Sequence, residues 1–172
     1  VVSMKDNTMS VDLQTFKQAL SRWASGVTIV TTRALDGSLK GMTASSFTSI
    51  SLEPPLILIS VAKKLYTHEV LTASRIFAVN ILSSDQVEWA KLFAGMYPDI
   101  EDRFAKTGYT TAETGSPILP GVLGWVDCEV YDTFEAGDHT LFLGRAVAAS
   151  GSGSGDPLVY ANRTWGRHIS LD

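Results

Sequence analysis

The sequence predicts a mainly β protein, an antiparallel β-barrel with peripheral helices. Three observations carry that expectation. Stretches rich in β-branched and apolar residues follow one another in hairpin-like succession, about six in all. Turn chemistry separates them, with Asp36-Gly37 in one gap and Glu135-Ala136-Gly137-Asp138-His139 in another. Regular helices of roughly 10–15 residues do not alternate with the strands, which disfavours a doubly wound parallel sheet.

Each element has its own signal. Residues 1–11 read as a polar, aperiodic arm, and residues 12–172 as a single domain. From Asp12, the residues Leu13, Phe16, Leu20 and Trp23 recur at helical spacing until Gly26. Val27 to Thr32 is almost wholly β-branched, a strand, and Asp36-Gly37 should supply the positive φ angles of a tight hairpin. Lys40 to Val61, "KGMTASSFTSISLEPPLILISV", is then expected to return antiparallel, with Leu56–Ala62 a strand buried on both faces. Periodicity alone leaves a helix open for that run. Thr67 to Ala73 predicts one or two helical turns, with Thr67 as N-cap, and Ile76 to Leu82 a strand. Ser83 and Gln86 form a capping box, Leu82 and Val87 a hydrophobic staple, and their helix should reach Phe93 near Gly95. Met96 to Pro120 is mostly irregular, with a helical turn around Arg103. Two long strands follow, Leu123–Phe134 and Thr140–Ser150, then a flexible Gly/Ser loop and a short strand over Pro157–Asn162.

Composition narrows the function. Of 172 residues, 45% are hydrophobic and 19% charged, enough for a substantial core. A net charge of −4 and a pI near 5.3 argue against nucleic acid as a partner. Apolar runs are too short to span a bilayer, and the N-terminal residues lack a signal-peptide pattern, so a cytoplasmic protein is expected. Cys128 is the lone cysteine, which excludes an internal disulfide framework. His68, His139 and His168 are scattered without metal-ligand spacing, so no metal is expected. No Gly-x-Ser-x-Gly elbow supports a hydrolase built on Ser45 or Ser46 with His139. Gly151 to Gly155, "GSGSG", lacks a Walker lysine and leads into Asp156-Pro157 rather than a helix, so it reads as a loop and not a phosphate cradle.

The hydroxyl-rich run Thr43-Ala44-Ser45-Ser46 is the informative one. It leaves room beside the backbone and offers neutral donors, which suits a flat heteroaromatic ligand. On composition alone, an edge strand with a solvated hydroxyl face is the more economical reading. Lys63, Lys64 and Thr67 combine two ammoniums with a helix N-terminus, the makings of a phosphate site; the alternative is a solvated turn.

Taken in order, "ASGVTIVTT", "GMTASSFTSISLEPPLILISV", "FAVNILSSDQ", "LFAG", "DRF", "GDHTLFLGRA" and "DPLVYANRTWGR" resemble the short-chain flavin reductase family. That family supplies reduced flavin to two-component flavin-dependent monooxygenases. The resemblance implies an antiparallel FMN-binding split barrel, a homodimer, and a flavin groove near the subunit interface. Matched motif by motif, it implies that Thr43, Ala44, Ser45 and Ser46 lie along the isoalloxazine and ribityl chain, and that Ser60 and Val61 flank the ring. Lys64 and Thr67 would approach the phosphate, and Asn80, Ile81 and Leu82 would add contacts. Arg103 and Phe104 match a further cofactor-binding motif, and His139 matches the Gly-Asp-His histidine associated with the nicotinamide. The implied activity is an NAD(P)H:flavin oxidoreductase taking FMN or FAD and NADH or NADPH, with a monooxygenase as partner. A non-enzymatic flavoprotein of the same fold, binding FMN or passing electrons, is the alternative. The Gly/Ser-rich segment 151–155 departs from the family pattern.

Overall fold

The computed structural model describes residues 11–171, so the expected arm over 1–11 lies outside the described residues save for exposed Val11. The strands are β1 (Ser25–Gly26), β2 (Thr28–Arg33), β3 (Leu39–Ala44), β4 (Thr48–Leu52), β5 (Pro55–Ala62) and β6 (Ile76–Ile81), then β7 (Thr110–Thr111) and β8 (Pro117–Ile118). They end with β9 (Gly124–Ala136), β10 (His139–Ser150), β11 (Leu158–Ala161) and β12 (Thr164–Arg167). The helices are α1 (Leu13–Ser21), α2 (Tyr66–Ser74), α3 (Val87–Phe93) and α4 (Arg103–Thr107), with a 3₁₀ turn over Ser84–Gln86 before α3.

Seven strands form the main sheet in the order β3-β2-β6-β9-β10-β5-β4, every neighbour antiparallel. Its two edge strands, β3 and β4, are consecutive in the chain and only Ser45-Ser46-Phe47 joins them. So short a link forces the sheet to roll until its edges meet at that corner, giving an open barrel with peripheral helices. β1, β11 and β12 make a separate small sheet, tied to the main one where Val27 N donates to Leu158 O (3.0 Å) and Leu158 N to Leu82 O (3.0 Å).

Strand alternation sorts the core into two layers. Val30, Met42, Ile57, Ile59, Val61, Phe77, Val79 and Phe142 fill the roll, closed by Leu71 of α2. Val27, Ile29, Leu82 and Leu119 pack the other side against Ala90, Leu92 and Phe93 of α3 and Phe104 of α4. Cys128 sits in the first layer, where burial pushes its thiol up to about 12, so it packs as a small apolar group.

Several expectations are met, and others change for physical reasons. Asp12 caps α1 through its carboxylate, which accepts from Thr15 N (2.8 Å). The capping box is present: Ser83 N donates to Gln86 Oε1 (3.0 Å), and the helix ends at Phe93 as expected. At the β2–β3 turn, Gly37 takes positive φ (+85°) and Asp36 does not. The turn closes with Ala34 N donating to Ser38 O (2.8 Å), a longer loop than a two-residue hairpin. β5 is not buried on both faces. Ile57, Ile59 and Val61 point into the roll while Leu58, Ser60 and Ala62 are half-buried, because β5 lies next to the sheet edge. Thr67 is not the cap of α2: Leu65 precedes the helix, and Thr67 lies buried within its first turn. The Gly/Ser segment is no simple hairpin loop, since β10 and β11 belong to different sheets. Gly153 presses on the chain there; a Cβ would stand 2.2 Å from Val122 O, and Gly153 N donates to Leu123 O (3.1 Å). β1, β12 and the short β7–β8 pair were not expected.

Candidate functional site

The stretch from Thr43 to Ser51 is two strands, not one. Both are edges, and their hydroxyls tie them to neighbouring backbone. Ser46 Oγ donates to Ser60 O (2.9 Å) and accepts from Ser60 N (3.2 Å), prolonging the β4–β5 ladder past Thr48. Thr43 Oγ1 donates to Ala90 O (2.6 Å), fastening β3 to α3. Ala44 is buried against the roll, and Ser45 is exposed at the corner between the edges.

A cleft of about 770 Å³ runs beside β3, within the size range of small-molecule sites. β3 residues 39–42 line it, with the start of α2 (Leu65, Tyr66, Thr67) on one side and the end of α3 and start of α4 on the other. Gly41 forms part of this lining because nothing larger fits: a Cβ would stand 2.7 Å from Phe93 Cε1 and 3.3 Å from Phe104 Cζ. Those two rings meet edge to face, centroids 5.2 Å apart, and brace the wall. The Gly41 carbonyl faces Arg103 Nη1 at 3.5 Å. Lys40 Nζ lies 5.2 Å from the centre of the Tyr66 ring.

Beyond the start of α2 lies the β9–β10 turn, bound to it at several points. Lys63 N donates to Asp138 O (3.0 Å), and Lys63 Nζ donates to Gly137 O (2.9 Å) while pairing with Glu135 (2.5 Å). The Lys63 ammonium holds the Glu135 carboxyl below its ordinary range. Thr140 Oγ1 donates to Glu135 Oε1 (3.2 Å) and contacts His68 Nε2 (2.9 Å). His139 opens β10 opposite Ala62, and its Nδ1 contacts Asp138 Oδ1 at 2.7 Å. Hydrogen bonding to His139 first, and then the charges of His139 and Lys64, lower the Asp138 carboxyl from its usual value.

Of the residues singled out in the sequence, Thr67, Arg103 and Phe104 line the cleft, and exposed Lys64 stands directly before the α2 residues that do. His139 is brought to the same corner by the β5–β10 pairing. Val61 and Leu82 are fully buried core, and Ile81 is half-buried at the end of β6. The Asn80 side chain faces no opening. Its Nδ2 donates to Ile29 O (3.1 Å), with Pro117 O and Thr31 Oγ1 each at 3.3 Å, and its Oδ1 accepts from Leu119 N (2.8 Å). Sequence reasoning missed Lys40, Tyr66 and Glu101 in the lining. The exposed Tyr66 between Lys64 and Thr67 was the available signal. Among the described residues no group of His, Cys, Asp and Glu could hold a metal ion, and no helix is long and apolar enough to cross a membrane.

Comparison with known proteins gives this corner its context. The chain is 39% identical over 142 residues to the stachydrine N-demethylase reductase subunit Stc3 of Rhizobium meliloti, covering 83% of this chain and 60% of that protein. It is 33% identical to the NADH-dependent flavin reductase StyB of Pseudomonas fluorescens, with 98% of each covered. The chain spans about half the length of the first curated relatives it matches. Among solved structures it superposes on BorF, the flavin reductase component of a bacterial two-component tryptophan halogenase, with TM-score 0.83 and 36% identity over 91% of this chain and 98% of that one. The NADH:FAD oxidoreductase SgcE6 of Streptomyces globisporus matches with TM-score 0.85 and 31% identity, over 100% and 96%. The flavin reductase like domain model matches residues 20–167, and the chain is a member of that family.

Proposed function

We propose that the chain is an NAD(P)H:flavin oxidoreductase, taking hydride from NADH or NADPH to FMN or FAD and supplying reduced flavin to a partner monooxygenase. The observation that carries this reading is one corner of the fold. The free edge of β3, the start of α2 and the hairpin bearing His139 converge there, in a chain of this family. The residues fit a flavin: an edge strand with small residues, a cleft of ligand size, and cations beside a helix start. When bound, the flavin and the nicotinamide supply the hydride chemistry themselves. The protein's share is to hold both ligands in register and to keep water out. Exposed Ser45 and half-buried Ser60 stand where the ring is proposed, Lys64 and Thr67 at the phosphate, Arg103 and Phe104 along the wall. His139 is proposed beside the nicotinamide. Reduced flavin must leave for the partner, which favours modest affinity. The proposed site of this work is the cytoplasm, where a nicotinamide donor would be at hand. A second copy of the chain is proposed to cover apolar surface left in water, including Leu52 of β4 and Leu20 of α1.

The test begins with protein mixed with FMN or FAD and titrated anaerobically with NADH, then NADPH. Bleaching of the flavin at a rate set by protein is expected, from a species that sediments as a dimer. No bleaching above the protein-free rate ends the reductase reading, and an active monomer ends the dimer.

A narrower expectation concerns Lys64. Charge-assisted hydrogen bonds are worth roughly 1.5–3 kcal/mol. Lys64→Ala should therefore weaken FMN binding about tenfold. Riboflavin, which lacks the phosphate, should lose far less. Equal losses for the two ligands would remove the lysine from the phosphate.

A further inference from the structure

We propose that His68 is a positioning residue for the hydride transfer, acting through Thr140 and Glu135 on the turn that carries His139. This rests on the flavin reductase reading above and adds to it a residue outside the proposed ligand contacts. His68 lies in the first turn of α2, directly after Thr67, and its ring reaches across to β10. There it meets the Phe142 ring edge to face, centroids 5.6 Å apart and planes at 72°, while its Nε2 stands 2.9 Å from Thr140 Oγ1. Phe142 and Thr140 are both buried. For packing against Phe142 an apolar side chain would serve; what the imidazole adds is a polar link to Thr140. The protons along that link have one arrangement. Thr140 Oγ1 gives its single hydrogen to Glu135 Oε1 (3.2 Å), so toward His68 it is an acceptor and Nε2 carries the proton. Glu135 in turn pairs with Lys63, whose Nζ also donates to Gly137 O (2.9 Å). The contacts run unbroken from α2 to the backbone of the turn.

The effect on His139 follows from the strand. The β9–β10 ladder ends at the His139–Ala136 pair, leaving Gly137-Asp138 outside the sheet. The Lys63–Glu135 pair that grips this turn is exposed on both sides, and an ion pair in water contributes little alone. Buried Thr140 and half-buried His68 give it an anchor away from water, where hydrogen bonds hold geometry more firmly. Successive residues of a strand face opposite sides, so fixing Thr140 toward α2 fixes the direction in which its neighbour His139 projects. The same helix start carries Thr67, proposed at the flavin phosphate. His68 thereby ties the nicotinamide side of the site to the flavin side at a set separation. Hydride transfer is sensitive to that separation at the level of about 1 Å.

Three variants test this. His68→Leu keeps an apolar contact for Phe142 without the donor, and His68→Gln offers an amide donor at similar reach. Thr140→Val removes the middle of the link without touching α2. In flavin-free protein, hydrogen exchange of the Lys63 backbone N–H, which donates to Asp138 O (3.0 Å), reports how firmly the turn is held. His68→Leu and Thr140→Val should each speed that exchange about tenfold, and His68→Gln no more than about twofold. In stopped-flow reduction, His68→Leu and Thr140→Val should slow bleaching of bound flavin about five- to tenfold, with the flavin dissociation constant within about twofold. His68→Gln should recover most of the rate. Because the proposed route runs through His139, adding His68→Leu to His139→Ala should cost less than about a further twofold. Losses that multiply in the double variant overturn the proposal, since His68 would then act elsewhere. An exchange rate or a reduction rate that does not move in His68→Leu and Thr140→Val also overturns it and leaves the reductase reading standing. A flavin affinity that falls as far as the rate overturns it by moving His68 to the flavin side. Wild-type protein that reduces neither flavin overturns both the proposal and the reading beneath it.

Discussion

Asn80→Ala is expected to lower the stability of the fold by about 3 kcal/mol. The amide is fully buried on β6 and forms hydrogen bonds at both ends. Its Oδ1 is the acceptor for Leu119 N, and its Nδ2 spans Ile29 O and Pro117 O. One side chain thus staples the segment Pro117–Leu119 to the β2–β6 pair. Alanine leaves the Leu119 N–H buried without that acceptor, costing roughly 1–3 kcal/mol, and a small cavity adds about 1 kcal/mol. Urea unfolding reads this as a lower midpoint at unchanged slope. A loss below about 1 kcal/mol, typical of exposed positions, would show that the staple contributes little. A fall in flavin affinity with stability intact would instead return Asn80 to the ligand side, where the family resemblance put it.

Local chemistry explains which elements could be read in advance. Asp12, the Ser83–Gln86 box and the β-branched run at Thr28–Thr32 carry their instructions within a few residues, and their elements form where expected. Sheet order is decided over longer distances. Nothing within Thr43–Ser51 states that it divides into two strands, β3 and β4, at opposite ends of a seven-strand sheet, so composition alone gives one edge strand with a solvated hydroxyl face. In the fold, the Ser46 hydroxyl extends the β4–β5 ladder and the Thr43 hydroxyl ties β3 to a helix carbonyl. Thr67 shows the same limit. It had the residue type of a cap, but the cap position falls two residues earlier, at Leu65, which buries Thr67 in the first turn. The β1–β11–β12 sheet was illegible because β1 is two residues long and exists only through pairing with β11. Lys40 joins the cleft through the curl of the sheet, a tertiary fact with no local signature.

His139→Ala is expected to slow reduction of bound flavin by ten- to a hundredfold, roughly, while leaving the flavin dissociation constant nearly unchanged. The alternative role is local, and part of it is visible: the ring is half-exposed at a turn and its Nδ1 contacts the neighbouring Asp138 carboxylate. That contact also has a directional consequence. A carboxylate only accepts, so Nδ1 carries a proton, and whenever the ring is uncharged its Nε2 is left as an acceptor. Such a nitrogen suits the amide N–H of a nicotinamide. The turn that carries it is held by Lys63 N to Asp138 O, by Lys63 Nζ to Gly137 O and by the Lys63–Glu135 pair, so the ring has a defined position from which to orient a ligand. Misplacement by about 1 Å can cost a hundredfold in rate, so orientation alone accounts for the expected loss. No proton passes through the ring in the hydride step, so the variant should lose rate without acquiring a new pH dependence. His139→Gln, which keeps an acceptor at similar reach, should recover part of the rate. Flavin titration paired with stopped-flow reduction decides the matter. Wild-type values for both in His139→Ala would leave the histidine as a turn residue tied to Asp138 and nothing more.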